Sequence, residues 1–463
     1  GRTLKVLPDK AEKREDVPNA YSNLAAAYKA ARPGDVIFLT EGLHSVTDAP
    51  LVLNKSGETG KPIVIRGAGT DRTIVQGPDL QTDLFHVAEA DHLLFEKMTL
   101  RRAETAINGG RKHGPAASWL TVHHCRIENV IKGIWTSSEN AANWYIADNV
   151  ITGIDEKWYP RIREGRSPMD GSHTGINVYG QGHVVCFNRI RRFSDLLAIA
   201  NFGPPSPEDI YKHAVNIDFY NNDLSEATDD TLETDYGCHN IRAYRNLNTN
   251  AHTALSSQPA YGGPIYFIRN VAYGITRLPW KWNNHPAGCV AYHNTTVGGG
   301  SAFAGSFFSN GHLHNNLILG NGAQITSGTL TPGRTTMDYN GYHCPEGYPA
   351  APVRWMHGRK DNPDDRDEWG RVHYRTFADF IAATGYEKHG MQVDFSIFRK
   401  ANPVERGITY DTDDFDLRLK TGTKPVDAGM RLPTVNDSYR GEGPDLGACE
   451  VGQAVPRYGP RKE

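Results

Sequence analysis

The densest set of ionisable side chains in the sequence is the run Thr228-Asp229-Asp230-Thr231-Leu232-Glu233-Thr234-Asp235. Carboxylates this close repel one another unless a cation or shared protons relieve them. An all-oxygen donor set suits Ca²⁺, a hard cation that takes about 6–8 oxygen ligands. Two further residues join the run through a repeat described below. Asp195 lies seven residues after Asn188, as Asp229 lies seven after Asn222; Lys281 lies eleven after Asn270, as Glu233 lies eleven after Asn222. If those asparagines stack, Asp195 and Asp229 stand one above the other at roughly 4.8 Å, and Lys281 shares the acids' face two levels away. A lysine between Trp280 and Trp282, near a bound metal, is expected to have a lowered pKa, as a proton-abstracting base needs.

The element that must position these residues is a repeat with the pattern apolar, two variable residues, Asn, one variable residue, apolar. It runs as Ile146-Ala-Asp-Asn149-Val-Ile151 and Val185-Cys-Phe-Asn188-Arg-Ile190, and returns at Asn222, Asn246, Asn270, Asn294, Asn316 and Asn340. Cys125 takes the Asn place one coil earlier, and Met98 marks a coil before that. From Cys125 the steps are 24, 39, 34, 24, 24, 24, 22 and 24 residues. A period near 24 with short strand-like pieces is the signature of a solenoid whose coils pair in parallel. Asn suits the turns because it tolerates the left-handed conformation and can bond to neighbouring coils. The expected fold is all-β, a right-handed parallel β-helix.

Composition agrees. The 47 Gly, 27 Pro and 21 Tyr suit many short strands between tight turns. With 50 Lys and Arg against 53 Asp and Glu the net charge is −3, which argues against a nucleic-acid binder. No apolar run is long enough to span a bilayer. The six cysteines include no C-x-x-C pair, and Cys125 and Cys186, two coils apart, are too distant for a disulfide. Asn19–Arg32 reads as an amphipathic helix over the open first coil, stopped by Pro33-Gly34-Asp35. Residues 1–350 are then a β-helix with its N-terminal cap. Residues 351–400 read as an insertion packed on it, with a charged loop at 359–368 and a short helix from Phe377 to Thr384 capped by Thr376. Residues 401–463 form the closing segment. Extra loops at 155–170 and 202–213 account for the two long steps and bracket the acidic coils, where long solenoid loops build binding faces.

The run Arg32-Pro-Gly-Asp-Val-Ile, the segment Ser56-Gly-Glu-Thr-Gly-Lys-Pro-Ile-Val-Ile-Arg66-Gly67 and the tail motif Pro444-Asp-Leu-Gly-Ala-Cys-Glu450 resemble the pectate-lyase-like superfamily of parallel β-helices. The site pattern resembles its calcium-dependent branch, polysaccharide lyase family 9, which has an Asp in one coil, an Asp-Asp-x-x-Asp run in the next and a later Lys. The resemblance implies that Asp195, Asp229, Asp230 and Glu233 hold Ca²⁺ and that Lys281 is the base. Glu233 replaces the third Asp of that run, Thr231 stands where Gly is usual, and Asp195 is followed by Leu-Leu-Ala rather than Gly-Phe-Ala. The implied chemistry is β-elimination on a uronate-containing glycan: the metal acidifies the C5 proton and Lys281 removes it. An arginine aids such sites, with Arg245, Arg269 and Arg277 as candidates. Trp280, Trp282 and Tyr261 are candidates for stacking on sugar rings, and His213 and His285 for other substrate contacts. The implied partner is an acidic polysaccharide. A secreted or periplasmic home follows from that reading, with any signal peptide already removed.

Other readings stay open. An inverting glycoside hydrolase on the same fold would use two carboxylates from Asp195, Asp230, Glu233 and Asp235, about 6.5–9.5 Å apart, with no need of Ca²⁺ or Lys281. An epimerase or a non-catalytic glycan-binding solenoid would also fit the fold. In the second case the acids are turn aspartates and a solvated strand face. Arg245 and Arg269, each just before a repeat Asn, are equally explained by turn contacts, and His293, just before Asn294, reads as structural.

Overall fold

In the computed structural model, which describes residues 1–9, 20–154, 173–200, 203–357, 370–405 and 407–462, the repeat is a solenoid of stacked coils. One face is a parallel sheet of 14 strands, one per level, from Ala20–Tyr21 to Thr336–Asp338. The remaining strands of each coil close the other faces, again in parallel. The interior is one continuous apolar column, with Val122, Ile146, Val185, Phe219, Ala243, Phe267, Ala291 and Leu313 stacked one per coil and all fully buried.

The asparagines are what hold the coils in register. The side-chain amide of Asn246 donates to Asn270 Oδ1 at 3.0 Å and to the Phe219 carbonyl at 2.9 Å, and its Oδ1 accepts from the backbone and side chain of Asn222. The same four contacts repeat through Asn188, Asn222, Asn270, Asn294 and Asn316. Buried amides satisfied on every arm leave no unpaired group to penalise the stack. Each ladder Asn follows a left-handed residue, among them Phe187, Asn221, Arg245, Arg269 and His293. At the lower end the Cys125 backbone N–H still donates to Asn149, so a side chain without an amide can begin the ladder. At the upper end the rung is a residue the period does not reveal. Glu387, 47 positions after Asn340, accepts from the Asn340 amide at 2.8 Å and from the Tyr342 hydroxyl at 2.9 Å.

The ends depart from expectation in detail. The first helix spans Leu24–Ala30 with Asn23 as its N-cap, while Ala20–Tyr21 is already a strand; the expected start at Asn19 lies outside the described residues. Asn23 wins because its side chain accepts from the Ala26 N–H at 2.8 Å. The helix buries Leu24, Ala27 and Tyr28 over the first coil. The second helix runs Phe377–Thr384 with Thr376 as cap and packs Phe377 and Phe380 against Tyr342 and Trp355. The segment 351–400 also supplies the last coil, since Val353–His357 and Met391–Gln392 pair in parallel with Ile325–Thr329 and Gly341–Tyr342. The expected loops at 155–170 and 359–368 lie outside the described residues. The closing segment runs back along the ladder turns. Gly447 N–H donates to Asn315, Ala448 N–H to Thr295, Gly459 N–H to Asn221, and Arg461 pairs with Asp148 at 2.6 Å.

Candidate functional site

The acids and the lysine do meet on one face. Strand Asp223–Glu233 pairs with Leu247–Ser257, which pairs with Val271–Trp282, and Glu233, Ser256 and Lys281 share one level line. The coils of Asn222 and Asn270 each carry one extra residue relative to the coil between them, so the two irregularities cancel over two levels. Lys281 then reaches back across the middle coil, and its Nζ lies 2.6 Å from Asp230 Oδ2 and 3.9 Å from Asp229 Oδ1.

The same extra residue corrects the expected pairing of Asp195. Phe193 is level with Ala227, but Leu197 is level with Leu232, so the bulge moves Asp230 rather than Asp229 beside Asp195. The Asp230 N–H donates to Asp195 Oδ1 at 3.2 Å. Carboxylate oxygens of Asp195, Asp230 and Glu233 come within 4.8 Å of one another. Asp229 turns instead toward His252, whose Nδ1 is 3.7 Å from Asp229 Oδ1.

The electrostatics follow from this crowding. Burial pushes Asp195 well above the ordinary carboxylate range, and the charges of Glu233, Asp230 and Asp229 push it further. Burial and the charges of Asp235 and Asp230 do the same to Glu233. Asp235, which accepts from the Ser256 hydroxyl at 2.9 Å, is raised by burial and by Asp230. Asp229 moves the other way: burial would raise it, but its bond to His252 and the Lys281 charge outweigh that. Burial alone would lower Lys281, yet Asp230, Asp229 and Asp235 hold it above the ordinary lysine value. The expected lowered pKa is therefore reversed in the metal-free arrangement, because Lys281 is the cation nearest to a nest of carboxylates.

The residues present fit a hard divalent cation. The donors are all oxygen and converge within 4.8 Å, their crowding holds protons that a cation would replace, and Asp230 Oδ1 is buried with no hydrogen-bond partner. Asp195, Asp230 and Glu233 would hold the ion.

No family model matches the chain, and no curated protein matches it. Among solved structures it is similar to a pectate lyase, Pel9A, at 16% identity over 97% of this chain and 96% of that one, with a TM-score of 0.48. It is similar to a mannuronic-acid-specific family 6 polysaccharide lyase from human gut microbiota at 12% identity, covering 75% and 87%, with a TM-score of 0.40. It is also similar to the catalytic unit of a GH87 α-1,3-glucanase from Streptomyces thermodiastaticus at 14% identity, covering 74% and 64%, with a TM-score of 0.46. In architecture the chain is a parallel β-helix.

The other expected site residues divide. Arg277 is exposed on the bulged part of the Lys281 strand, and its charge reaches Asp229. Tyr261 is half-buried beside Tyr236, ring centroids 6.4 Å apart, at the turn that follows the acidic strand. His213 packs edge-on against Tyr179, and His285 lies in the turn after Trp282, near Phe307. Trp280 and Trp282 are fully buried and cannot stack on a sugar. Strand alternation points Lys281 outward and therefore both neighbours inward, where they pack on Phe267, Phe303 and Phe308. Arg269 is taken up by the closing segment, its guanidinium donating to the Ala448 carbonyl at 3.3 Å. Arg245 stands in the preceding ladder turn, where its charge reaches Tyr458 of the same segment. Sequence reasoning missed His252 and Tyr236. The signal for His252 was its place six residues after Asn246, one short of the Asp229 count, at a level where its own coil lacks the extra residue.

Proposed function

We propose that the protein is a polysaccharide lyase that cleaves a uronic-acid-containing glycan by β-elimination, with a calcium ion held by Asp195, Asp230 and Glu233 and with Lys281 as base. The observation that carries this reading is the placement of Lys281 Nζ 2.6 Å from Asp230, at the edge of three converging carboxylates. A structural ion pair needs one acid; this lysine faces several, on the outer face of its strand where its own side chain remains 16% exposed. Held by Asp195, Asp230 and Glu233, a divalent cation would offset the carboxylate charge, so that Lys281 could give its proton to solvent, and would polarise a substrate carboxylate.

The chain's own residues do the rest. Lys281 Nζ takes the C5 proton, the C5–H electron pair becomes the C4=C5 double bond, and the C4–O bond breaks, its oxygen leaving with a proton from solvent. Asp229, held ionised by His252 and Lys281, keeps the ammonium product of that transfer oriented. Arg277 at the rim is placed to offset charge on the substrate carboxylate. Tyr236 offers aromatic surface beside Glu233, and Tyr261 extends it one coil further. The inverting hydrolase is less well served by Asp195, Asp230 and Glu233, whose oxygens within 4.8 Å of one another lie closer than the about 6.5–9.5 Å of an inverting pair; Asp235 stands outside that set. An extracellular or periplasmic setting is part of the proposal, as polymeric glycans are met there; no helix among the described residues is long and apolar enough to cross a membrane. Cleavage in heavy-oxygen water tests the reaction type. Elimination leaves products without the label and with a double bond, whereas label in the new reducing end would refute the lyase reading.

A further inference from the structure

The corner where each coil turns into the 14-stranded sheet carries a second pattern that the acidic site does not use. At that corner the backbone is left-handed level after level, and the chain supplies residues that tolerate it: Asn143, Gly182, Asn216 and Asn240. Two levels break the rule. His92 and Trp119 take the same left-handed conformation, at φ 55° and 57°, in adjacent coils. Their rings stack with centroids 5.8 Å apart and planes 8° apart, and Trp119 remains 53% exposed. A large aromatic therefore sits where the backbone favours Asn or Gly, with half its surface in water. Neither the local conformation nor the core gains from it, and strain at an exposed aromatic points to a binding role.

An exposed aromatic stacked on a histidine recurs beside the same corner, without the left-handed backbone. Tyr211 is 71% exposed and stacks on His239 with centroids 5.4 Å apart and planes 9° apart. Trp119 and Tyr211 are the two most exposed aromatic side chains among the described residues, and each lies flat on a histidine. The levels between them are continuous: Ser118, Ala142, Gln181, Val215 and His239 pair in succession. Four steps of parallel pairing separate the two platforms by roughly 19 Å along the axis. His239 follows Tyr236, and Tyr236 adjoins Glu233 and Asp235, so the row of platforms ends at the acidic site.

We propose that Trp119 and Tyr211 form a track for the glycan chain, stacking on sugar rings several units away from the cleaved bond and aligning the polymer with the solenoid axis. Flat aromatic faces match the apolar C–H faces of pyranose rings, and two spaced platforms add affinity for a long chain that a short oligosaccharide cannot gain. The occupant named here rests on the glycan reading of the acidic site.

The test measures binding without cleavage, in the Lys281→Ala protein, by retardation in gels containing polygalacturonate, alginate or neutral amylose. Trp119→Asn is the informative variant, because Asn suits the left-handed backbone. It is expected to melt at or above the parent's temperature, to lose at least tenfold affinity for a uronate polymer, and to bind a trisaccharide within twofold of the parent. Trp119→Phe is expected to restore most of the polymer affinity, and Tyr211→Ala to lose several-fold. Unchanged polymer retardation in Trp119→Asn, a lower melting temperature accompanying the loss, or no retardation of the parent by any uronate polymer would each overturn the track. A Trp119→Asn defect, beside a protein with Lys281 intact that yields no unsaturated product from any uronate polymer, would uphold the track and refute the lyase reading instead.

Discussion

Lys281→Ala should reveal whether the acidic cluster is a cation site. In the metal-free protein Lys281 Nζ lies 2.6 Å from Asp230 Oδ2, and the two side chains are 16% and 1% exposed. Removing one partner of a buried pair leaves an uncompensated charge and costs about 3–5 kcal/mol. Here Asp195, Glu233 and Asp230 are all held above the ordinary carboxylate range, so the orphaned Asp230 can take up a proton and the lower half of that range is expected near neutral pH. The loss should shrink as pH falls, since protonation of the carboxyls relieves the repulsion. Calcium should offset part of it. A cation bound by the folded state alone at 100-fold its Kd adds about 2.7 kcal/mol, and the variant has lost a competing positive charge, so its affinity should exceed the parent's. The assay is urea unfolding of both proteins, in chelator and in saturating calcium. A variant as stable as the parent in chelator, or one that calcium leaves unrescued, would refute the reasoning.

Other expectations concern the scaffold. Asn246→Ala removes donors to Asn270 and Phe219 and an acceptor for Asn222, all buried, and should cost about 2–4 kcal/mol by denaturant unfolding; a loss under about 1 kcal/mol would deny the ladder its role. His293 is buried and accepts from Asn315 at 3.0 Å and Asn436 at 2.8 Å, and burial lowers its pKa to about 3. Its folded pKa lies below the unfolded value of about 6.5, so the stability it contributes is complete above that pH and falls away between about 6.5 and 3, with a slope of up to about 1.4 kcal/mol per pH unit. His293→Gln should flatten the melting temperature over that window, and an unchanged slope would contradict the assignment. Trp280→Ala should destabilise by about 3–5 kcal/mol as a core truncation; a fully stable variant with weakened glycan binding would return Trp280 to the surface.

How far the sequence reached depended on what set each position. The ladder from Asn149 to Asn340 was legible because one buried amide per coil is the only economical way to satisfy those turns, and a strict step near 24 repeats it. Lys281 and Glu233 could be placed on one line because the two extra residues between their asparagines cancel. Asp195 and Asp229 could not, since counting from the Asn is blind to a bulge that lies between the Asn and the acid. The same bulge hid His252. Trp280 and Trp282 were misplaced for a different reason: their neighbour was read by type, while the strand's alternation sends them to the opposite face from Lys281. Glu387 was out of reach, because 47 residues separate it from Asn340 and a carboxyl imitates the amide only at the last rung.

The central claim is that this site removes a proton and eliminates, with calcium and Lys281 acting together. Its most direct test is ultraviolet absorbance of unsaturated uronate product, followed over a panel of uronate polymers with calcium, with chelator, and in Lys281→Ala. The account predicts a rise that requires calcium and that falls by at least about a hundredfold in the variant. New reducing ends without absorbance, indifferent to chelator and to Lys281→Ala, would contradict it and assign the cleavage to the carboxylates alone.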